Sequence, residues 1–71
     1  MADQSADIHP VGSLVNILDR DVLDRGELSF EGRPSEVIGV DQNWRWIRVV
    51  GKYGNIYHLT EHINMLRTHE S

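Results

Sequence analysis

The hydrophobic pattern is clearest over residues 44–59, where two apolar and aromatic runs flank a turn bracketed by glycines. The runs read W-R-W-I-R-V-V and N-I-Y-H-L, with G-K-Y-G between them. Lys52 and Tyr53 suit the middle of a type I turn, and Gly54 suits the left-handed residue that completes a three-residue loop with a bulge. This stretch therefore predicts a β-hairpin in which Gly51 pairs with Asn55.

The predicted turn also sets the register of the hairpin, because side chains alternate between the two faces of a strand. On one face Val49 should lie opposite Tyr57, and Ile47 opposite Leu59. These residues are all apolar or aromatic, so this face is predicted to be core. The pairs on the other, partly open face are Val50 with Ile56, Arg48 with His58, and Trp46 with Thr60.

Residues 13–25 allow two interpretations. A helix would have Ser13 as its N-cap and Gly26 just beyond its C-terminus, with its apolar residues in about half of the circumference. Asp21 falls inside that apolar arc, however, and Leu23 falls outside it. The alternative is a first strand over residues 13–18 followed by an acidic loop. We favour the helix.

The remaining elements are short. We predict a strand over residues 28–30, a turn over residues 31–34, and a strand over residues 36–40 with a polar D-Q-N turn after it. A short helical turn should follow Leu59, with Thr60 as its cap and with Ile63 and Leu66 facing inward. Residues 1–12 are predicted to be a flexible arm, residues 13–67 a single β-rich domain, and residues 68–71 a frayed tail.

Size and composition limit the class of protein. Seventy-one residues can build one small domain. The chain has no cysteine, and its first residues are acidic and polar rather than typical of a signal peptide. No apolar run approaches the roughly 18 residues of a membrane span. We therefore expect a soluble, cytoplasmic protein without a disulfide framework.

Charge is unevenly distributed along the chain. Residues 1–41 contain nine acids and three bases, a net charge of −6, whereas residues 42–71 contain two acids and four bases, a net charge of +2. A module with one acidic and one basic, aromatic end could present different surfaces to different partners. The acidic half argues against wrapping the whole domain in nucleic acid.

The residues offer little for catalysis or metal binding. The serines lie beside no recognisable base, and the glycines are too scattered to form a phosphate-binding loop. His58 and His62 have the i,i+4 spacing of a helical metal site, but one belongs to a predicted strand and the other to the predicted turn. We predict neither a catalytic residue nor a metal site, and we expect no cofactor and no small-molecule substrate.

The candidate chemistry is therefore recognition of a macromolecule. Aromatic residues that alternate with cations can stack on bases, and they also dominate protein–protein contacts. Arg45 belongs to the same aromatic and basic cluster, and the arm supplies a second contact through Ile8, His9, Pro10 and Val11. The residues predicted to bind a partner are Trp44, Trp46, Arg48, Lys52, Tyr53 and His58.

The motif W-I-R-V, followed by G-K-Y-G and N-I, resembles the distal hairpin of small Src-homology-type barrels. The peptide-binding members of that family have a proline and a tyrosine shortly after the hairpin, where this chain reads H-L-T-E-H, so recognition of proline-rich ligands is unsupported. The end of the chain also resembles Sm-like barrels, in which an N-terminal helix precedes five strands. The bacterial Rho-inhibitor family has that plan in an acidic chain of similar size.

These resemblances imply a mostly β, α+β fold: a small antiparallel, partly open barrel of four or five strands. In its size, its acidity, its N-terminal arm and its compact β-rich end, the chain also resembles small phage-encoded regulators that bind host RNA polymerase. The likeness implies a non-enzymatic module that regulates transcription by docking on RNA polymerase or the termination machinery. The alternatives are a barrel-type binder of single-stranded RNA and a structural adaptor in a phage or secretion assembly.

Overall fold

Five antiparallel strands form one open sheet in the computed structural model, which describes residues 8–23, 34–51 and 53–69. The strands are β1 (Leu14–Ile17), β2 (Ser35–Asp41), β3 (Trp44–Val50), β4 (Ile56–His62) and β5 (Leu66–Thr68), with a four-residue helix α1 (Arg20–Leu23) and a 3₁₀ turn (Ile63–Met65). The order across the sheet is β4-β3-β2-β1-β5. The predicted class, a small, mostly β, partly open barrel-like fold, is confirmed.

The β3–β4 hairpin has the predicted register. Val49 pairs with Tyr57, Ile47 with Leu59 and Arg48 with His58. At the turn, the Gly51 amide donates to the Asn55 carbonyl at 2.6 Å. Gly54 adopts a left-handed φ of 86°, which glycine accepts without strain. Turn chemistry at one end therefore determines which side chains share a face along the whole hairpin.

The predicted helix over residues 13–25 is wrong over residues 14–17, which form β1, whereas α1 lies within the predicted range. Val15 and Ile17 are buried while Leu14 is exposed, which is the alternation of a strand. β1 lies between β2 and β5 and pairs with both, so its backbone groups find partners on neighbouring strands. Within residues 13–23, the described part of the predicted helix, only α1 is helical, and Asp21 in the apolar arc was the local sign that an amphipathic helix over the whole segment would not pack.

The predicted strand over residues 36–40 and its polar turn are confirmed, since β2 covers Ser35–Asp41 and a turn follows it. Its pairing with β3 shifts between Val37 and Gly39, which leaves Ile38 as the extra residue of a bulge. The predicted strand over residues 28–30, and the turn before Pro34, lie outside the described residues.

The end of β4 differs from the prediction in detail. The strand continues through Thr60 to His62, so Thr60 caps nothing. His62 is the cap instead, and its Nδ1 accepts from the Asn64 amide at 3.1 Å. A 3₁₀ turn follows, as predicted, and places Leu66 in the core, whereas Ile63 is only half-buried.

The core lies on one side of the sheet and draws its buried residues from β1, α1, β2, β3 and β5. Tyr57 and Leu59 of β4 pack against it and remain partly exposed. Such a small core should give a modest free energy of unfolding, so a substitution at a single buried position should remove a large share of it. Its members are Val15, Ile17, Val22, Val37, Ile47, Val49 and Leu66.

Candidate functional site

The side of the sheet opposite the core carries the candidate site, which we call the outer face. Alternation along the strands brings together residues from β2, β3 and β4 that are distant in sequence. Trp44, Trp46 and Val50 are all exposed there, and so is Ile56 of β4. The outer face consists of Glu36, Gly39, Asp41, Trp44, Trp46, Arg48, Val50, Ile56, His58, Thr60 and His62.

Both tryptophans are supported by neighbours on adjacent strands. Trp46 lies between Gly39 and Thr60 and is 49% exposed. Trp44 packs edge-on against the ring of His62, with the ring centroids 5.3 Å apart and an interplanar angle of 82°. Neither indole is in the core, so each presents a large apolar surface from a defined position.

Arg48 occupies the next row of the outer face. Its Nη2 donates to Glu36 Oε1 at 2.9 Å, and His58 pairs with it from β4. The predicted neighbourhood of an exposed indole, guanidinium and imidazole is therefore present as geometry. The guanidinium is not an isolated positive charge, however, because the Glu36 carboxylate lies against it.

The end of the hairpin extends this surface. Tyr53 is 74% exposed in the turn, beyond the pair formed by Val50 and Ile56. Lys52, which was predicted to bind a partner, lies outside the described residues. The outer face therefore runs from two tryptophans at one end to aliphatic side chains and a tyrosine at the other.

Arg45, which sequence analysis placed in the aromatic and basic cluster, does not lie on the outer face with the tryptophans. It is 0% exposed and lies on the core side, because it is one residue out of phase with the two tryptophans. Nε donates to the carbonyls of Ile8 and His9 at 2.9 and 3.0 Å. Nη1 donates to the carbonyls of Gln42 and Trp44 at 2.7 and 2.6 Å.

These bonds explain two unusual backbone conformations. His9 and Gln42 both have a φ of 53° and are the non-glycine residues with positive φ in the described chain. Arg45 binds the carbonyl of each. A buried guanidinium thus holds the predicted arm and the β2–β3 turn together. Sequence analysis missed this role, although the two-residue period of the strand places Arg45 on the face opposite Trp44 and Trp46.

The arm residues predicted as a second contact do not join the outer face. Ile8 and His9 approach the side of the sheet that Arg45 faces, and the Gly12 amide donates to the Val37 carbonyl at 2.8 Å. Ile8, Pro10 and Val11 remain exposed, and His9 is half-buried. Any contact made by the arm would be separate from the one made by the tryptophans.

A second buried ionisable group was also missed. Glu61 pairs with Arg45 in the β3–β4 ladder and is only 4% exposed. Burial first, and then the charge and hydrogen bond of Asp19, raise the pKa of Glu61 from 4.5 to about 7. A lone glutamate between two histidines gave no sequence signal for this contact.

The histidine pair does not have the geometry of a chelate. His58 and His62 lie on the same strand, where four residues span about 13 Å, too far for one ion to bind both rings. In the described ranges, no group of three or more histidine or acidic side chains could hold a metal ion. Among those same residues, no helix has the length and apolar character needed to cross a membrane.

Comparison of the chain with protein-family models, with curated proteins and with solved structures finds no match. The candidate site is therefore defined by its geometry and by the chemistry of its side chains.

Proposed function

We propose that this chain is a non-enzymatic binding module whose outer face docks on another protein, and that the partner belongs to the bacterial transcription machinery. The observation that supports docking is the pair of half-exposed tryptophans, Trp44 and Trp46, on a sheet that holds both in place. RNA polymerase or the termination apparatus is the partner that we propose, with the bacterial cytoplasm as the place of action.

Supported aromatic side chains favour binding for an energetic reason. An indole that is already restrained loses little conformational entropy when a partner covers it. Trp46 is restrained by the backbone of Gly39 and Trp44 by the ring of His62. Tryptophan, tyrosine and arginine are also the residues that most often dominate the binding energy of protein interfaces.

The charges on the outer face favour a protein partner over RNA. Glu36 and Asp41 place two carboxylates beside the tryptophans, and Arg48 is already paired with Glu36. A phosphate backbone would be repelled by the carboxylates, and it would have to compete for the guanidinium. A protein can instead supply both apolar surface and a donor for these carboxylates.

The assignment to transcription rests on resemblance. The hairpin motif, the acidity and the small size resemble Rho inhibitors and phage-encoded regulators of RNA polymerase. A module of this kind acts by occupying a surface of the larger machine, which requires no active site. The exposed arm residues Ile8 and Val11 would then supply a second contact from the other side of the sheet.

Binding to purified bacterial RNA polymerase and to purified Rho factor tests the proposal. We expect one of them to bind the wild-type chain, and Trp46→Ala to weaken that binding by at least about 30-fold, the effect of a central hot-spot residue. Met65→Ala is a control, because Met65 is exposed in the 3₁₀ turn and is not part of the outer face.

Arginine variants separate the protein and RNA alternatives. Arg48→Ala and Arg67→Ala remove the same charge, but Arg48 lies in the row next to Trp46, whereas Arg67 lies on β5 at the far edge of the sheet, away from both tryptophans. Failure of both proteins to bind would overturn the proposed partner. Tight binding of a single-stranded RNA oligonucleotide, with affinity that falls steeply with salt and is lost in Arg48→Ala, would establish the RNA-binding alternative instead.

A further inference from the structure

In the described part of the sheet, β4 forms one edge and pairs with β3 on its other side. Two hydrogen bonds at the ends of this ladder define its pattern. The Gly51 amide donates to the Asn55 carbonyl at 2.6 Å, and the Ile63 amide donates to the Asn43 carbonyl at 2.9 Å. Bonded and non-bonded pairs alternate along an antiparallel ladder, so the odd-numbered residues of β4 are bonded to β3. The backbone groups directed toward the open edge are those of Ile56, His58, Thr60 and His62.

This edge lacks the features that usually prevent strands from adding to a sheet. Natural edge strands are commonly very short, bulged, or provided with lysine or proline. β4 is seven residues long, pairs with β3 in continuous register, and reads I-Y-H-L-T-E-H, in which the acid, Glu61, is only 4% exposed. β5, at the opposite edge, has three residues and includes Arg67. Of the two edges, β4 is therefore the one that can accept another strand.

Apolar side chains on β4 are also left partly uncovered. Tyr57 and Leu59 pack against the core but are only half-buried, and Ile56 on the outer face is 58% exposed. A strand added beside β4 would cover part of all three while its backbone pairs with the open edge. An extended chain is therefore the ligand that this edge fits.

We propose that β4 pairs with β4 of a second copy of this chain, in antiparallel orientation about a twofold axis at Leu59, so that the two sheets become one. Overlap of the whole strand defines this register. Ile56 then lies opposite His62 of the second copy, and His58 lies opposite Thr60 of the second copy. Each of these pairs brings together backbone groups that both point to the open edge.

The side chains are compatible with this register. Leu59 meets Leu59 of the second copy in a pair that is not hydrogen-bonded, where side chains on neighbouring strands lie closest. The histidines lie opposite threonine and isoleucine, so no like charges face each other. β3 and β4 also belong to residues 42–71, whose net charge is +2, so two chains of net charge −4 meet at their less acidic end.

The symmetry of the contact determines the size of the assembly. When β4 pairs with β4, the same surface is used on both copies, so the assembly closes at a dimer. Pairing of β4 with β5 would instead use two different surfaces and would continue into rings or filaments. The dimer extends the sheet sideways and leaves the outer face uncovered, so it does not depend on the proposed docking of the tryptophans.

Sedimentation equilibrium of the full chain between about 10 µM and about 1 mM tests the proposal, because a contact through one strand is smaller than a standard interface and should be weak. We expect a monomer–dimer equilibrium for wild type. Thr60→Pro should weaken it by at least about tenfold, since both copies lose an amide donor at the contact. The proline should be tolerated in the monomer, because the Thr60 amide points away from β3.

Thr68→Pro is the matched control. The His69 amide donates to the Leu14 carbonyl, so the adjacent pair of Thr68 with Val15 is not bonded, and the Thr68 amide points to the open edge of β5. This variant should dimerise like wild type. A wild-type chain that stays monomeric over the whole range would overturn the proposal. Species larger than a dimer, or equal weakening by the two proline variants, would overturn it in favour of pairing between β4 and β5.

Amide hydrogen exchange followed by NMR provides a test on the wild-type chain alone. Exchange at His58 and Thr60 should slow as the protein concentration rises, whereas Tyr57 and Leu59, whose amides are bonded to β3, should be protected at every concentration. Protection of Tyr57 and Leu59 in Thr60→Pro would also show that this variant is folded. Exchange at His58 and Thr60 that is independent of concentration would overturn the proposal, whatever the outcome of binding to RNA polymerase or Rho factor.

Discussion

The indole of Trp46 packs on the backbone of Gly39, its neighbour on β2, so closely that a β-carbon at position 39 would stand 2.9 Å from Trp46 Cδ1. The same β-carbon would also stand 3.3 Å from the Cβ and Cγ atoms of Trp46. Glycine therefore provides the space in which the indole lies against the sheet, next to the bulge at Ile38. The orientation of the main candidate contact residue depends on this position.

Gly39→Ala is expected to displace the indole of Trp46 and to lower the free energy of unfolding by about 1 kcal/mol or more, because the new methyl group meets the part of the side chain nearest the backbone. Fluorescence of the Trp44→Phe protein, with and without Gly39→Ala, would report the displacement. An emission spectrum unaffected by the substitution would contradict the packing described here.

Gly54→Ala is expected to destabilise the hairpin without moving Trp46. Gly54 has a φ of 86° and open space around its α-carbon, so the cost is backbone strain of about 1 kcal/mol, with no collision. Gly54→Asn should cost less, since asparagine tolerates left-handed φ values. Denaturant unfolding of both variants would check the order, and equal losses would argue against a left-handed residue at the turn.

Arg45→Lys is expected to lower the free energy of unfolding by about 2–4 kcal/mol, because a lysine cannot reach all of the carbonyls that the buried guanidinium binds. The arm should detach as well, which hydrogen exchange or limited proteolysis near Ile8 and His9 would detect. Arg48→Lys is the matched control, since its half-exposed salt bridge should contribute less than about 1 kcal/mol. Similar losses in the two variants would contradict the assigned role of Arg45.

Ile17→Ala and Leu14→Ala distinguish the strand β1 from the helix favoured by sequence analysis. Ile17 is 5% exposed and Leu14 is 49% exposed. We expect a loss of about 2–4 kcal/mol for Ile17→Ala and less than about 1 kcal/mol for Leu14→Ala, measured by denaturant unfolding. An amphipathic helix would bury both positions, so comparable losses would favour the helix over the strand.

The β3–β4 hairpin and the composition of its outer face could be predicted from the residues themselves. A glycine in left-handed conformation at the turn specifies the loop, and the two-residue period of a strand then assigns Trp46, Arg48 and His58 to one side. Both pieces of information are local. The prediction of the hairpin and its faces therefore does not depend on how the rest of the chain folds.

The remaining features of the fold and of the site could be identified only in the tertiary structure. Residues 14–17 form a strand because β2 and β5 lie on either side of them, and no local propensity encodes that pairing. Arg45 binds the arm, Glu61 is buried opposite Arg45, and Trp46 lies on Gly39 through contacts between segments that are separate in sequence. Only long-range packing decides such contacts. A charged side chain that becomes buried needs polar partners, and a bulky side chain needs space, and both come from other segments of the chain.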